Sequence, residues 1–407
     1  MATTAACPVL TASAAVTTAA DLAADFAEGA ADRDRNRTLP HREVERLAAS
    51  GLLAVTVPRG FGGADLPPSV VADVIRILAA ADPNIAQIPH SHFVYVNLLR
   101  LAGSVAQQRE YSARLLRGAR IANAQAERGG ATTAEIATTL RPADGRFRVD
   151  GTKYYCTGSL FAETLAVLTR LDDPLGDSSL PDGQYVAFLP TDTPGVHISD
   201  DWDALGQRTT GSGTVVFDGV TVQRCQLVPR APAVGAPTGY GAFAQLLHTA
   251  IDVGIARGAL QAAADFARTS SRPWFEAHVA RAVDDPLLVQ RFGELAVLVQ
   301  AAESTLTVAA GEVDAVYRGE SGDPVAAAAT ASLAVAGAKV VADTAANEVS
   351  SAVFELGGTR SAAAELNLDH FWRNARTHTL HDPVRWKYQH IGRALLHGTP
   401  PPLHPAI

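Results

Sequence analysis

A chain of 407 residues, 47% hydrophobic and 19% charged, exceeds one ordinary core and is expected to divide into two or three packed regions. Its formal net charge of -8 provides no basic footprint, which excludes nucleic acid and anionic membrane surfaces as partners and favours a small-molecule substrate. Three cysteines, Cys7, Cys156 and Cys225, stand without CxxC spacing, so neither a disulfide framework nor a cysteine zinc site is expected. The Ala- and Thr-rich start lacks a basic region ahead of an apolar core, and Asp21, Asp25 and Glu28 soon intrude; no export signal is read. The Ala/Val-rich run near 325–350 carries Lys339, Asp343 and Glu348, which argues against a membrane span. A cytoplasmic protein is the expectation.

In chain order, residues 1–118 show apolar residues at helical spacing, as in HREVERLAASGLL and PSVVADVIRILAAAD, and predict an N-terminal helical domain. Residues 119–232 turn to short β-branched and aromatic runs, FRVDGTKYYCTG, YVAFLP and GTVVFDGVTV, broken by Asp, Gly and Pro; a small antiparallel barrel or sandwich is expected. Residues 233–407 return to helical patterns of about 30 residues each, far above the usual helix of about 11. Such Ala-rich helices predict a C-terminal four-helix bundle whose outer faces are covered by other subunits, hence a homo-oligomer. The tail PPPLHP cannot be helix. The fold class is α+β, an order that composition alone does not assign to one fold.

Three segments together resemble the acyl-CoA dehydrogenase superfamily. VDGTKYYCTGS (149–159) is similar to its Gly-x-Lys-x-Trp-Ile-Thr strand, ANAQAERGGA (122–131) to the loop beneath the flavin, and FELGGTRSAAAELNLDHFWRNARTHTLHDP (354–383) to the Gly-Gly turn and basic helix leading to the active site. Dehydrogenases of this family carry a catalytic Glu, commonly followed by Gly, where this chain has Asp382-Pro383. Asp is a methylene shorter, and a general base must come within about 3 Å of its proton, which weakens an acyl-CoA dehydrogenase reading. FWRNARTHTLHDPV, DDWDALGQRTTGSG (200–213) and SSRPWF (270–275) instead resemble the dibenzothiophene monooxygenases and neighbouring sulfur-acquisition monooxygenases. The resemblance implies a homotetramer that receives reduced FMN from a separate NAD(P)H:flavin reductase, forms a C4a-hydroperoxyflavin with O2, and oxygenates a heteroatom, first of all the sulfur of a small organosulfur compound. N-hydroxylation and aromatic hydroxylation occur in the same branch and stay open, as does an FAD-dependent acyl-CoA dehydrogenase.

By resemblance, His92 in PHSHFVYV faces the flavin peroxide, with His90 set aside. The two are no metal pair, since i,i+2 residues on a helix diverge. Pro383 cuts off helix continuation after LHDP, so His381 is expected at an element boundary facing a cleft; the resemblance closes it over the flavin, oriented by Asp382. His378, one turn earlier, is a second candidate. Strand alternation would put Tyr155 and Thr157 on one face, beside the flavin N5, and turn Cys156 the other way into the core. Asn123 can donate and accept at the flavin edge, and Trp202 can wall the pocket. With no GxGxxG or P-loop, the resemblance leaves FMN phosphate to Arg272 and Arg360, with Thr359 beside the latter, reaching from adjacent subunits. Arg373 and Arg376 are expected to form structural ion pairs.

Overall fold

The computed structural model describes residues 6–132 and 134–407. The first part of the chain is helical: α1 (Ala12–Ala27), α2 (Ala30–Asn36), α3 (His41–Ala49), α4 (Pro68–Ala81), α5 (Pro83–Ala102) and α6 (Val105–Leu115). Asp82 joins α4 to α5 by accepting the Asn84 and Ile85 amides at the start of α5, with Pro83 at the first helical position, where no amide is needed. Asp285-Pro286 and Asp323-Pro324 open two later helices in the same way.

Eight strands follow: β1 (Ile121–Ala124), β2 (Thr139–Ala143), β3 (Arg146–Lys153), β4 (Thr164–Leu171), β5 (Gln184–Pro190), β6 (Val196–Ile198), β7 (Val215–Val222) and β8 (Leu227–Pro229). They form one sheet in the order β6-β7-β3-β2-β4-β5-β8, with β1 on β4. The expectation of a purely antiparallel domain needs correction at β4. There β1 and β2 share one edge and both run parallel to it, Ile121 opposite Thr164 and Leu140 opposite Leu171. The parallel pairing arises because β1 enters directly from the helical region rather than through a hairpin.

After the short α7 (Ala231–Val234) come α8 (Tyr240–Thr269), α9 (Pro286–Arg318) and α10 (Pro324–Gly357), of 30, 33 and 34 residues. Then follow α11 (Asp369–His378) and α12 (Arg385–His397). The three long helices pack on one another, α12 lies against α10, and α4 packs on α8. Gly254 and Gly258, one turn apart on α8, allow the last approach: a Cβ at either would sit 2.5 Å from the Arg76 carbonyl oxygen or 2.2 Å from that of Ala80. Among the described residues α10 alone is long and apolar enough by composition to cross a membrane. In the fold it packs on α8 and α9, and its Lys339 is buried.

Candidate active site

Helix α5 lies where the three regions meet, packed on β1 and on α8, and its two histidines part to opposite sides. His92 faces β1. Its Nε2–H donates to the Leu53 carbonyl at 2.8 Å and its Nδ1 accepts the Ile121 amide at 3.2 Å. Both ring nitrogens are thereby consumed by backbone in a buried position. This corrects the sequence expectation: His92 has no free nitrogen for a peroxide and instead ties the N-terminal helices to the first strand.

Burial pushes His92 down to about 4, with the Leu53 carbonyl opposing the change. An unfolded imidazole titrates near 6.5, so between about 6.5 and 4 the unfolded chain takes up a proton that the folded chain refuses. The contribution is intact above pH ~6.5 and is lost as pH falls, by up to about 1.4 kcal/mol per pH unit for each such ring. His90, pushed by burial to about 3, adds in the same direction. Accordingly His92→Phe should cost about 1–3 kcal/mol at neutral pH by leaving two backbone groups unpaired, and should lessen the acid sensitivity. Urea unfolding at about pH 7.5 and about pH 5 measures both; a stability difference that ignores pH would refute the neutral-histidine assignment.

His90, set aside on sequence grounds, faces the helical bundle. Its Nε2–H donates to the Ala244 carbonyl at 3.0 Å, and its ring stacks on His248 of α8 at 3.8 Å between centroids. His248 also meets His381, tilted, at 3.9 Å between centroids, and His90 and His381 lie 6.5 Å apart. Three imidazoles are thus clustered, and the one at the surface, His381, has 48% of its side chain exposed. It lies in the bend between α11 and α12, the boundary that Pro383 enforces. Asp382 does not orient it through a hydrogen bond: its Oδ2 is 3.7 Å from His381 Nδ1 and instead accepts Gln245 Nε2 at 2.7 Å. Burial opposes charge on Asp382, yet His381, Lys387 and Gln245 carry its pKa below the usual carboxylate range. A buried, stabilised carboxylate is a weak base. His378, the second candidate, is wholly buried and bonded to His248 and Asp252.

On the β side, Asn123 stands on β1, and its buried Oδ1 has no hydrogen-bond partner. A buried acceptor left open is costly unless something fills it. The alternation assumed for Tyr155 and Thr157 does not apply, because β3 ends at Lys153 and Tyr155 takes a left-handed φ of 57°. Tyr155 is exposed and meets Trp202 edge-on at 5.8 Å, while Trp202 Nε1 donates to the Gln207 carbonyl at 2.7 Å. Thr157 is buried, its hydroxyl 2.8 Å from that of Ser212. Cys156 is packed in the sheet core.

Arg272, Thr359 and Arg360 are all exposed and share one corner, because Arg360 Nη1 donates to the Ser270 carbonyl at 3.0 Å. None of the three bonds to Asn123, Tyr155, Thr157, Trp202 or His381, and Arg272 has no hydrogen-bond or ion-pair partner among the described residues. Arg373 pairs with Asp34 and Asp369 as expected. Arg376 forms no ion pair among the described residues; its contact is Asn347 Oδ1 at 3.5 Å.

Sequence reasoning passed over His248 and Asp252 and used Lys339 only against a membrane span. The available signal was a His and an Asp four residues apart in the otherwise apolar QLLHTAIDVG, and a lone Lys in an Ala-rich helix. Charged groups on such faces must be buried and paired. The arrangement as a whole offers an open acceptor, an aromatic wall, an exposed imidazole and a corner of cations. The open acceptor, the aromatic pair and the exposed imidazole are groups that suit a flavin ring, and the cations at the other corner are groups that suit a phosphate.

Family models for the acyl-CoA dehydrogenase N-terminal, middle and C-terminal domains match residues 12–119, 123–220 and 246–386. Dibenzothiophene monooxygenase of Rhodococcus qingshengii is 32% identical over 404 residues, covering 95% of this chain and 94% of that protein. A probable FMNH2-dependent monooxygenase, SfnC, of Pseudomonas putida is 29% identical over 392 residues, covering 95% and 96%. The crystal structure of FMN-bound TdsC from Paenibacillus sp. A11-2 superposes with a TM-score of 0.90 at 32% identity, covering 97% of this chain and all of that one. The chain therefore belongs to the acyl-CoA dehydrogenase family, in its flavin-dependent monooxygenase branch.

Proposed function

We propose that the chain is a two-component monooxygenase that takes reduced FMN from a separate reductase, works through a C4a-hydroperoxyflavin, and oxygenates the sulfur of a small organosulfur compound. One observation carries the choice over dehydrogenation. At the position of the dehydrogenase base, Asp382 turns inward onto Gln245, while His381 leaves an imidazole half exposed. An imidazole can hydrogen-bond a bound oxygen and need not remove a proton from carbon. The sulfur assignment is supported by the dibenzothiophene monooxygenase and SfnC relatives.

Reduced FMN supplies the reducing power and activates oxygen; the protein positions, hydrogen-bonds and excludes water. In this reading Asn123 Oδ1 and the Thr157 hydroxyl meet the polar edge of the flavin ring, Tyr155 and Trp202 flank it, and His381 with His90 behind it closes the oxygen side. Arg272, Thr359 and Arg360 hold the phosphate from a neighbouring subunit of a homotetramer, since in one chain they form a separate corner. The exposed Leu287, Val297 and Val308 on α9 are the apolar surface such an assembly would cover. Arg272→Ala and Arg360→Ala are each expected to weaken FMN binding by about 10–100-fold, the worth of a hydrogen bond to a charged group. Fluorescence titration measures this, and an unchanged affinity in both would remove them from the phosphate site.

The deciding experiment mixes the protein anaerobically with reduced FMN and then admits oxygen. A transient absorbance that persists alone, and decays faster when a sulfide or sulfone is added, is the expected result. Immediate reoxidation without an intermediate, together with bleaching of bound FAD by an acyl-CoA, would overturn the proposal.

A further inference from the structure

Behind the exposed His381 a chain of titratable groups runs into the bundle without a break. Asp252 is 0% exposed and its two oxygens are both used: Oδ2 accepts Lys339 Nζ, and Oδ1 accepts His378 Nδ1 at 2.6 Å. Burial opposes its charge, but Lys339 and His378 outweigh that and keep it ionised. An ionised carboxylate only accepts, so His378 must carry its proton on Nδ1. Burial holds His378 neutral against the pull of Asp252, which leaves its Nε2 bare. That nitrogen lies 3.1 Å from His248 Nδ1, so His248 must in turn be protonated on Nδ1. Burial first, and then the rings of His381, His90 and His378, hold His248 well below its ordinary value, and its Nε2 is left bare as well. In an imidazole the two nitrogens point apart, so this lone pair faces away from His378. It has no hydrogen-bond partner among the described residues.

We infer that Asp252, His378 and His248 form a proton relay whose open end is the bare Nε2 of His248, making His248 a further acid–base residue and His378 and Asp252 its positioning residues. A proton accepted at His248 Nε2 is balanced by passage of the Nδ1 proton to His378 Nε2; one proton enters, and the positive charge comes to rest against Asp252. The charge thereby moves from a ring 3.9 Å from His381 to one 6.4 Å away. Since Coulomb repulsion falls inversely with distance, His381 then feels about two fifths less of it. The groups facing the relay are His90 from α5, Lys339 and Asp343 from α10, His381, Asp382, and Lys387 from α12. None of them brings a carboxylate into hydrogen-bond contact with His248 among the described residues. The use of the relay rests on the monooxygenase reading, whereas its existence does not.

The test is nitrogen-15 NMR of histidine-labelled, flavin-free protein, comparing wild type with His378→Phe and His378→Gln. Both variants keep the Asp252–Lys339 pair, and circular dichroism checks their folding. In the wild type His378 and His248 should each carry the proton on Nδ1. His378→Phe removes the acceptor and should release His248 from that tautomer, while His378→Gln, whose carbonyl can still accept, should restore it. A wild-type His248 protonated on Nε2, or a bare Nε2 that survives in His378→Phe, overturns the relay. In the FMN-loaded enzyme His378→Gln, which keeps the tautomer but cannot pass a proton, should change the decay of the oxygen intermediate by about tenfold and alter its pH profile. Identical decay and profile would overturn the catalytic use. Absence of any intermediate in the wild type would refute the monooxygenase reading, with the tautomers still deciding the relay.

Discussion

His381→Ala is expected to change the lifetime of the oxygen intermediate on bound FMN by about 10²–10⁴-fold, the usual reach of a positioned acid–base side chain. The intermediate should become shorter-lived. The ring is the exposed member of a three-imidazole cluster, in tilted contact with His248 at 3.9 Å and not fixed by Asp382. On the proposed monooxygenase reading its removal would take away a hydrogen-bonding group and admit water, and both effects would favour loss of the oxygen intermediate. FMN affinity should hold, because the phosphate contacts proposed for Arg272 and Arg360 do not involve His381. Stopped-flow absorbance, paired with FMN titration, separates the two properties. A lifetime equal to that of the wild type would remove His381 from the chemistry.

Lys339→Met is expected to cost about 3–5 kcal/mol of stability, the typical penalty for breaking a buried ion pair from one side. Lys339 and Asp252 are both fully buried and contact each other between α10 and α8. Met matches the length of the aliphatic stem but leaves Asp252 with His378 as its one remaining donor. Adding Asp252→Asn to that variant removes the stranded charge and should recover part of the loss. Denaturant unfolding gives both values. A loss below about 1 kcal/mol would place the pair with exposed ion pairs, which contribute little.

Much of the architecture was legible because it follows from local chemistry. The Asp-Pro pairs at 82–83, 285–286 and 323–324 announce helix starts, since Asp caps the amides that Pro does not need. The β-branched runs announce strands, and the long Ala-rich patterns announce helices of 30 residues and more. The position of His381 at a boundary was legible for the same reason, Pro383 being a local constraint. Tyr155 was misplaced because periodicity assumes that a strand continues, and nothing in KYYCTG marks the left-handed residue that ends it.

By itself, then, the sequence determined the order of helical, strand and helical regions, the family, and the fact that His90 and His92 must diverge. Only the tertiary structure decided which neighbours each of them meets. Residues two apart on a helix part by more than half a turn, but their destinations depend on where β1 and α8 come to rest. There His92 is spent on the Leu53 carbonyl and the Ile121 amide, and His90 stacks on His248. The same holds for Asp252, Lys339 and His378, which are 87 and 126 residues apart along the chain from Asp252 to its two partners. Their charges and tautomers are set by burial and by one another, and neither exists until the helices have packed.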